Sequence, residues 1–183
     1  QGICPWNIFA ITFTNKAAKE MRERVNTLVG EDAKDVWVST FHSTCVRILR
    51  SEIHHLDFNR HFSIYDSDDQ DKLLKDCFKK LNFDLSDKMY SIKFAKVMIS
   101  KQKEELISWE EYAKNVDKNN LKEVKTAKVY QIYQSMLKEN NALDFDDLIY
   151  KTVLLFQQHP EVLEKYQNRF RYIMVDEYQD TNT

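Results

Sequence analysis

The sequence predicts an α/β domain, in which helices flank a parallel sheet and an all-helical segment is inserted. Three short apolar runs, at residues 8–13, 36–41 and 172–175, are rich in β-branched and aromatic residues and lack polar alternation. That pattern is typical of parallel strands covered on both faces. Only two Gly and two Pro occur among 183 residues, which favours long helices.

Helical patterns follow the first two runs. The first helix has Thr14 or Asn15 as its N-cap candidate, and Gly30 stands where a helix C-terminus is expected. The second carries an apolar stripe from residue 45 to residue 56. A strand, helix, strand, helix order implies parallel strands joined by right-handed crossovers.

The middle of the chain differs, because nearly every segment has helical spacing. Ser108 and Glu111 match a capping box, and apolar stripes recur at 73–81, 92–99 and 122–138. The α/β pattern resumes at Asp144, a candidate N-cap, and Pro160 suits the first turn of the last helix. The predicted division is therefore a core at 1–57, a helical insert at 58–143 and the rest of the core at 144–183.

Composition narrows the possible functions. The formal net charge is −2, so no overall basic field indicates a nucleic-acid partner. Three scattered cysteines form no CxxC motif, which favours a reducing, cytoplasmic setting. No stretch approaches a membrane span, and residues 1–20 lack the pattern of a signal peptide.

The last apolar run ends at two adjacent acids, Asp176 and Glu177. Ligands of open parallel sheets bind beyond the carboxyl ends of the strands. One acid there can hold a divalent cation, and the next can polarise an attacking water, as in the Walker B motif of nucleotide hydrolases. Two solvated carboxylates in a turn are the alternative, and the commoner one for an isolated acid pair.

The end of the first strand offers groups suited to single-stranded nucleic acid. Phe13 can stack on a base, and Thr14 and Asn15 can bond phosphate near a helix N-terminus. The alternative is that Phe13 belongs to the core and its neighbours only cap the helix. A stretch with five lysines and no acid, residues 88–103, either contacts DNA or forms a solvated helix face.

Four motifs together carry a family resemblance: ITFTNKAAKEMRERV, STFHSTCVRILR, LDFDDLI and DEYQDTN. The chain resembles the UvrD/PcrA/Rep group of superfamily 1 DNA helicases over essentially its whole length. The resemblance implies the first RecA-like core domain, interrupted by a helical subdomain. It also implies ATP and Mg²⁺ as cofactors, with single-stranded and duplex DNA as partners. The implied activity is 3′-to-5′ translocation and duplex unwinding, in DNA repair or replication.

The resemblance also implies roles for individual residues. Asp176 helps to hold Mg²⁺, Glu177 is the catalytic base, and Gln179 helps to link nucleotide state to conformation. Asp146 and Asp147 are expected to be first-turn helix acids rather than metal ligands. The residues implied to contact DNA are Phe13, Thr14, Asn15, Thr40, His42 and Phe145. The alternative for His42 is a surface or capping role, and the alternative for Phe145 is packing at the start of a helix.

The phosphate-binding loop GxxxxGK[ST] of such helicases does not occur among the 183 residues. We therefore expect a fragment of a longer protein that supplies this loop and a second RecA-like domain. We also expect no ATP hydrolysis by this chain alone. The strand that carries the loop in such helicases would be missing from the sheet, so we expect apolar side chains of its neighbours to be exposed. Two other functions stay open: the helicase part of a recombination nuclease, and a DNA-binding module without catalytic activity.

Overall fold

The computed structural model describes residues 2–178. The chain divides into two compact units. The first contains the residues up to His55 and those from Thr152 onward, and the second is Leu56–Lys151. The insert predicted from the sequence was 58–143, so the second unit begins slightly earlier and ends inside a helix that the sequence assigned to the core.

The helices and strands follow one another with short connections. Within residues 2–178 the 3₁₀ segments are Pro5–Asn7, Gly30–Asp35 and Ile53–Leu56. In chain order the other elements are β1 (Ile8–Thr12), α1 (Asn15–Val29), β2 (Trp37–Thr40), α2 (Phe41–Glu52), β3 (Ser63–Ile64), α3 (Ser67–Lys80), α4 (Ile92–Glu104), α5 (Trp109–Asn115), α6 (Leu121–Glu139), β4 (Ala142–Leu143), α7 (Phe145–Gln158), α8 (Pro160–Arg169) and β5 (Tyr172–Val175).

The first unit is built on a parallel sheet in the order β2-β1-β5. Its middle strand, β1, is buried, and the rings of Phe9, Trp37 and Phe170 pack beside it, with centroids 4.9 Å apart for Phe9–Phe170 and 5.0 Å for Trp37–Phe170. The predicted fold class, a partial RecA-like parallel sheet with flanking helices, is confirmed.

Strand β5 departs from the expectation of a strand buried on both faces. Tyr172, Ile173 and Met174 are 47%, 60% and 55% exposed. Among the described residues β5 pairs with β1 alone, so it is an edge strand of this sheet. An apolar sequence predicts that a segment forms a strand, but its burial depends on neighbours that the segment does not encode.

The second unit is a helical cluster around an aromatic core. Helices α3, α4 and α6 contribute buried side chains that include Phe78, Ile99, Tyr130 and Tyr133. A parallel ladder of two residues per strand, β3 with β4, was not predicted, because so short a ladder gives no periodic signal. Within residues 2–178 no helix has both the length and the apolar character that crossing a membrane requires.

Candidate functional site

The carboxyl ends of the three strands of the first unit meet at one edge of the sheet. Thr12 on β1 is in register with Thr40 on β2, and Ile11 is in register with Val175 on β5. The next residue, Asp176, donates its backbone N–H to the carbonyl of Ile11 over 2.9 Å. Asp176 therefore lies at the edge where β1 ends, which is where open parallel sheets bind ligands.

Asp176 and Glu177 form a turn directly after β5, and both residues are exposed. Glu177 has φ of +52°, in the left-handed region that residues other than glycine seldom occupy. Two exposed carboxylates at a strand end have the hard oxygen donors that Mg²⁺ prefers, so this edge fits a metal-bound phosphate. Gln179 lies outside the described residues.

Phe13 follows β1 at the same edge and is 40% exposed, so it is not a core residue. Its ring packs against the ring of Phe41, with the two centroids 5.2 Å apart and the ring planes at an angle of 50°. Phe41 is the first residue of α2, so the two aromatic residues come from the ends of neighbouring strands. Together they form an aromatic surface that a flat ring, such as a nucleobase, can cover.

Two helices start at this edge, and a threonine caps each. The Oγ1 of Thr14 accepts the backbone N–H of Ala17 over 3.1 Å, and that of Thr40 accepts the backbone N–H of Ser43 over 3.2 Å. Thr14, not Asn15, is the cap of α1; Asn15 is its exposed first residue. Helix N-termini attract anions because their free N–H groups and their dipoles favour negative charge.

Thr40 and His42 have different surroundings. Thr40 is buried, and its hydroxyl also donates to the Oγ of Ser43 over 2.9 Å, so its side chain serves the start of α2. His42 lies in the first turn of α2 and is half-buried. A DNA contact by either residue stays a prediction.

Phe145 belongs to the second unit, where it is the first residue of α7 and 52% exposed. A buried ionic network fixes the chain beside it. The Nζ of Lys103 lies 2.6 Å from Oδ2 of Asp144 and 3.0 Å from Oδ1 of Asp147. The hydroxyl of Tyr133 donates to the same Asp144 oxygen over 2.9 Å.

The acids of this network also close the first turn of α7. The backbone N–H of Asp147 donates to Oδ1 of Asp144 over 2.8 Å, and that of Asp144 donates to Oδ2 of Asp147 over 3.3 Å. The predicted N-cap at Asp144 is thus confirmed. The first-turn position of Asp147 is confirmed too, but its complete burial against a lysine was not expected.

Two lysines of the stretch 88–103 are engaged in bonds within the second unit, and one of them, Lys103, is fully buried. Lys103 is 1% exposed and paired as described, and Lys96 donates to Asp71 and Ser67 over 2.8 Å each. The sequence contained a signal for Lys103, since it continues the buried stripe of Ala95 and Ile99 at steps of four residues. Exposed charges remain at Lys88, Lys93 and Lys101.

The first unit, with its parallel sheet, capped helices and paired acids at the carboxyl edge, has the architecture of a partial RecA-like α/β domain. The UvrD/REP helicase N-terminal domain model matches residues 1–183, so the chain belongs to that family. It is 49% identical over 180 residues to the ATP-dependent DNA helicase PcrA of Bacillus subtilis, and 50% identical to that of Staphylococcus epidermidis. Each alignment covers 98% of this chain and 24% of the relative, so the chain spans about a quarter of those proteins.

Proposed function

We propose that this chain is part of the motor of an ATP-dependent DNA helicase that translocates along single-stranded DNA in the 3′-to-5′ direction. The observation that carries the proposal is the common edge of the sheet. There the backbone of Asp176 bonds to that of Ile11, and Phe13 follows two residues after Ile11, just beyond the end of β1. Acids for a nucleotide, after β5, and an aromatic residue for a base, after β1, thus share one edge of the sheet. The proposed role of the whole protein is duplex unwinding in DNA repair or replication.

The acids fit ATP with Mg²⁺. Asp176 would hold the ion through water or a phosphate oxygen, and the bound ion would neutralise charge that develops on the transferred phosphoryl group. Glu177 would accept the proton of the attacking water, which a carboxylate exposed at the strand end can reach. Gln179, three residues after Asp176, would connect this site to the conformational change.

The chain lacks other groups that phosphoryl transfer needs. Its two glycines, Gly2 and Gly30, are too few and too far apart for a loop that surrounds phosphates with backbone N–H groups. Electrostatic stabilisation by lysine, arginine and metal provides most of this catalysis. We propose that the whole protein supplies a phosphate-binding loop and, in its second RecA-like domain, a further arginine, and that the 183-residue chain alone would not hydrolyse ATP.

The proposed single-strand track begins at the aromatic surface of Phe13. Thr14 and Asn15 would bond a phosphate at the start of α1, where the helix dipole adds attraction. Thr40 and His42 would approach the backbone at the start of α2. In the second unit, Phe145 would stack on a further base, because its exposed ring is carried by the fixed first turn of α7.

The two alternatives have less support. The helicase part of a recombination nuclease would share these motifs, yet the relatives that match at 49–50% identity are named DNA helicases. A DNA-binding module without catalysis would need no acid pair, and the sequence keeps both Asp176 and Glu177 at the edge of the sheet.

The test is an assay of a protein that carries this chain together with the phosphate-binding loop and the second RecA-like domain. We expect ATP hydrolysis that single-stranded DNA stimulates, and displacement of a strand from a duplex with a 3′ single-stranded tail but not a 5′ tail. Hydrolysis that DNA does not stimulate would contradict the helicase proposal. Unwinding from the 5′ tail would contradict the polarity alone.

A further inference from the structure

Three of the five histidines gather at one location in the first unit. His54 and His55 lie in the 3₁₀ segment Ile53–Leu56, and His159 precedes α8. The ring centroids of His54 and His55 are 4.3 Å apart, and those of His55 and His159 are 4.8 Å apart. None of these residues takes part in the proposed helicase chemistry.

His55, His159 and Glu161 can converge on one ion. One ligand atom from each lies within 4.8 Å of the others, and Nδ1 of His159 is 3.2 Å from Oε1 of Glu161. Donors of a tetrahedral zinc site are roughly 3.4 Å apart, since zinc–nitrogen bonds are about 2.0–2.1 Å long. Side-chain rotations would have to close the remaining difference, and exposed Glu161 leaves the solvent side open.

The backbone that carries these donors is held by buried neighbours. Ile53 is 0% exposed and fixes the 3₁₀ segment that bears His55. Val162 is 3% exposed and fixes the first turn of α8, in which Glu161 lies. Two rigid supports therefore present the donors, and the entropy lost on binding an ion is confined to a few side-chain torsions.

Glu52 acts behind the donors rather than among them. It is buried, and its Oε1 accepts hydrogen bonds from Lys165 and Ser51. Its other oxygen, Oε2, lies 3.9 Å from Nε2 of His55. This separation is longer than a hydrogen bond; if a small movement closed it, the carboxylate would orient the His55 ring, as hydrogen-bonded carboxylates do for metal-ligating histidines.

We propose that His55, His159 and Glu161 bind one Zn²⁺ or a similar first-row transition-metal ion, with solvent in the fourth position. Two imidazoles and one carboxylate select zinc over magnesium, so this site is chemically distinct from that of Asp176. The ion would join the segment after α2 to the start of α8. It would thereby brace the stretch where the chain leaves the first unit, immediately after His55.

The experiment is calorimetric titration of the 183-residue chain with zinc chloride in a buffer that does not bind metals. We expect one ion per chain, and no saturable heat from millimolar magnesium chloride. His55→Gln, His159→Gln and Glu161→Gln are each expected to weaken zinc binding at least about tenfold, as loss of groups in a metal site does. His61→Gln, an exposed histidine of the second unit, and Cys4→Ser, a thiol outside the cluster, are the controls and should bind zinc normally.

A cobalt(II) titration adds a direct signature, because its visible absorption reports four-coordinate nitrogen and oxygen ligands and should disappear in His159→Gln. Circular dichroism of each variant without metal checks that the fold is intact, and Glu161→Gln at an exposed position is expected to pass that check. The proposal is overturned if zinc does not saturate, if the three cluster variants bind zinc like the parent, or if Cys4→Ser alone abolishes binding. None of these outcomes bears on the proposed ATPase activity, because the variants leave Asp176 and Glu177 unchanged.

Discussion

Replacing Lys103 with methionine should destabilise the second unit severely. Methionine fills similar volume but leaves Asp144 and Asp147, which are 2% and 0% exposed, without their shared cation. Breaking a buried ion pair on one side costs about 3–5 kcal/mol, because the remaining charge stays desolvated. Tyr133 and the backbone N–H groups still bond the acids, and one acid can take up a proton, so we expect a loss in that range and no more.

Urea unfolding followed by circular dichroism measures this loss, and hydrogen exchange of the peptide amides of α6 and α7 assigns it to the second unit. Lys101→Met on the same helix is the matched control, since Lys101 is 60% exposed and lies 3.7 Å from Glu105. An exposed pair of this kind contributes about 0–1 kcal/mol. Equal unfolding free energies for Lys103→Met and Lys101→Met would refute the argument that the buried network stabilises this unit.

Three further predictions follow. In a protein with the complete motor, Phe13→Ala should weaken single-strand binding by about 1–3 kcal/mol per stacked base. Trp6→Ala, which removes another exposed aromatic side chain, should leave the affinity unchanged. Equal affinities of Phe13→Ala and the parent in a fluorescence titration would contradict the stacking role. The 183-residue chain alone should release no phosphate from ATP above the blank rate, and DNA-stimulated release would contradict this. Burial opposes the charged form of Lys103, but the charges of Asp144 and Asp147 outweigh this effect and raise the pKa of Lys103 above the usual 10.5. The stabilisation that Lys103 provides is therefore complete below pH 10.5 and is lost as the pH rises through the pKa of the folded state. Urea midpoints measured against pH should show this loss in the parent but not in Lys103→Met.

The sequence predicted the elements whose signals are local. Thr14 and Ser108 cap helices as their positions indicated, because a cap bonds only to the next few residues. Pro160 opens α8 for the same reason. The edge site was predictable too, since a strand's last residue and the acids after it are adjacent in the chain, and parallel register brings strand ends together.

Features that depend on distant partners were not predictable in this way. Lys103 and Asp144 are 41 residues apart in sequence, so the ion pair could not be predicted from neighbouring residues. The one local indication that Lys103 is buried was its position four residues after Ile99 on the apolar side of α4. The contact of His55 with His159 joins two segments that the whole second unit separates in the sequence. Exposure of β5 likewise reflects which strands pair with it, so its own apolar residues do not encode it. The expectation of exposed apolar side chains in the sheet came instead from the absence of the phosphate-binding loop.

Hydrolysis by a Glu177→Gln variant tests the central claim most directly, in a protein that adds the phosphate-binding loop and the second RecA-like domain to this chain. Turnover with saturating single-stranded DNA should fall at least about a hundredfold, the scale of a lost general base, while nucleotide affinity stays within a factor of about two. Glu164→Gln, an exposed glutamate on α8, is the matched control and should turn over normally. If Glu177→Gln hydrolysed ATP at the parental rate, the carboxylate at the edge of the sheet would not be the base.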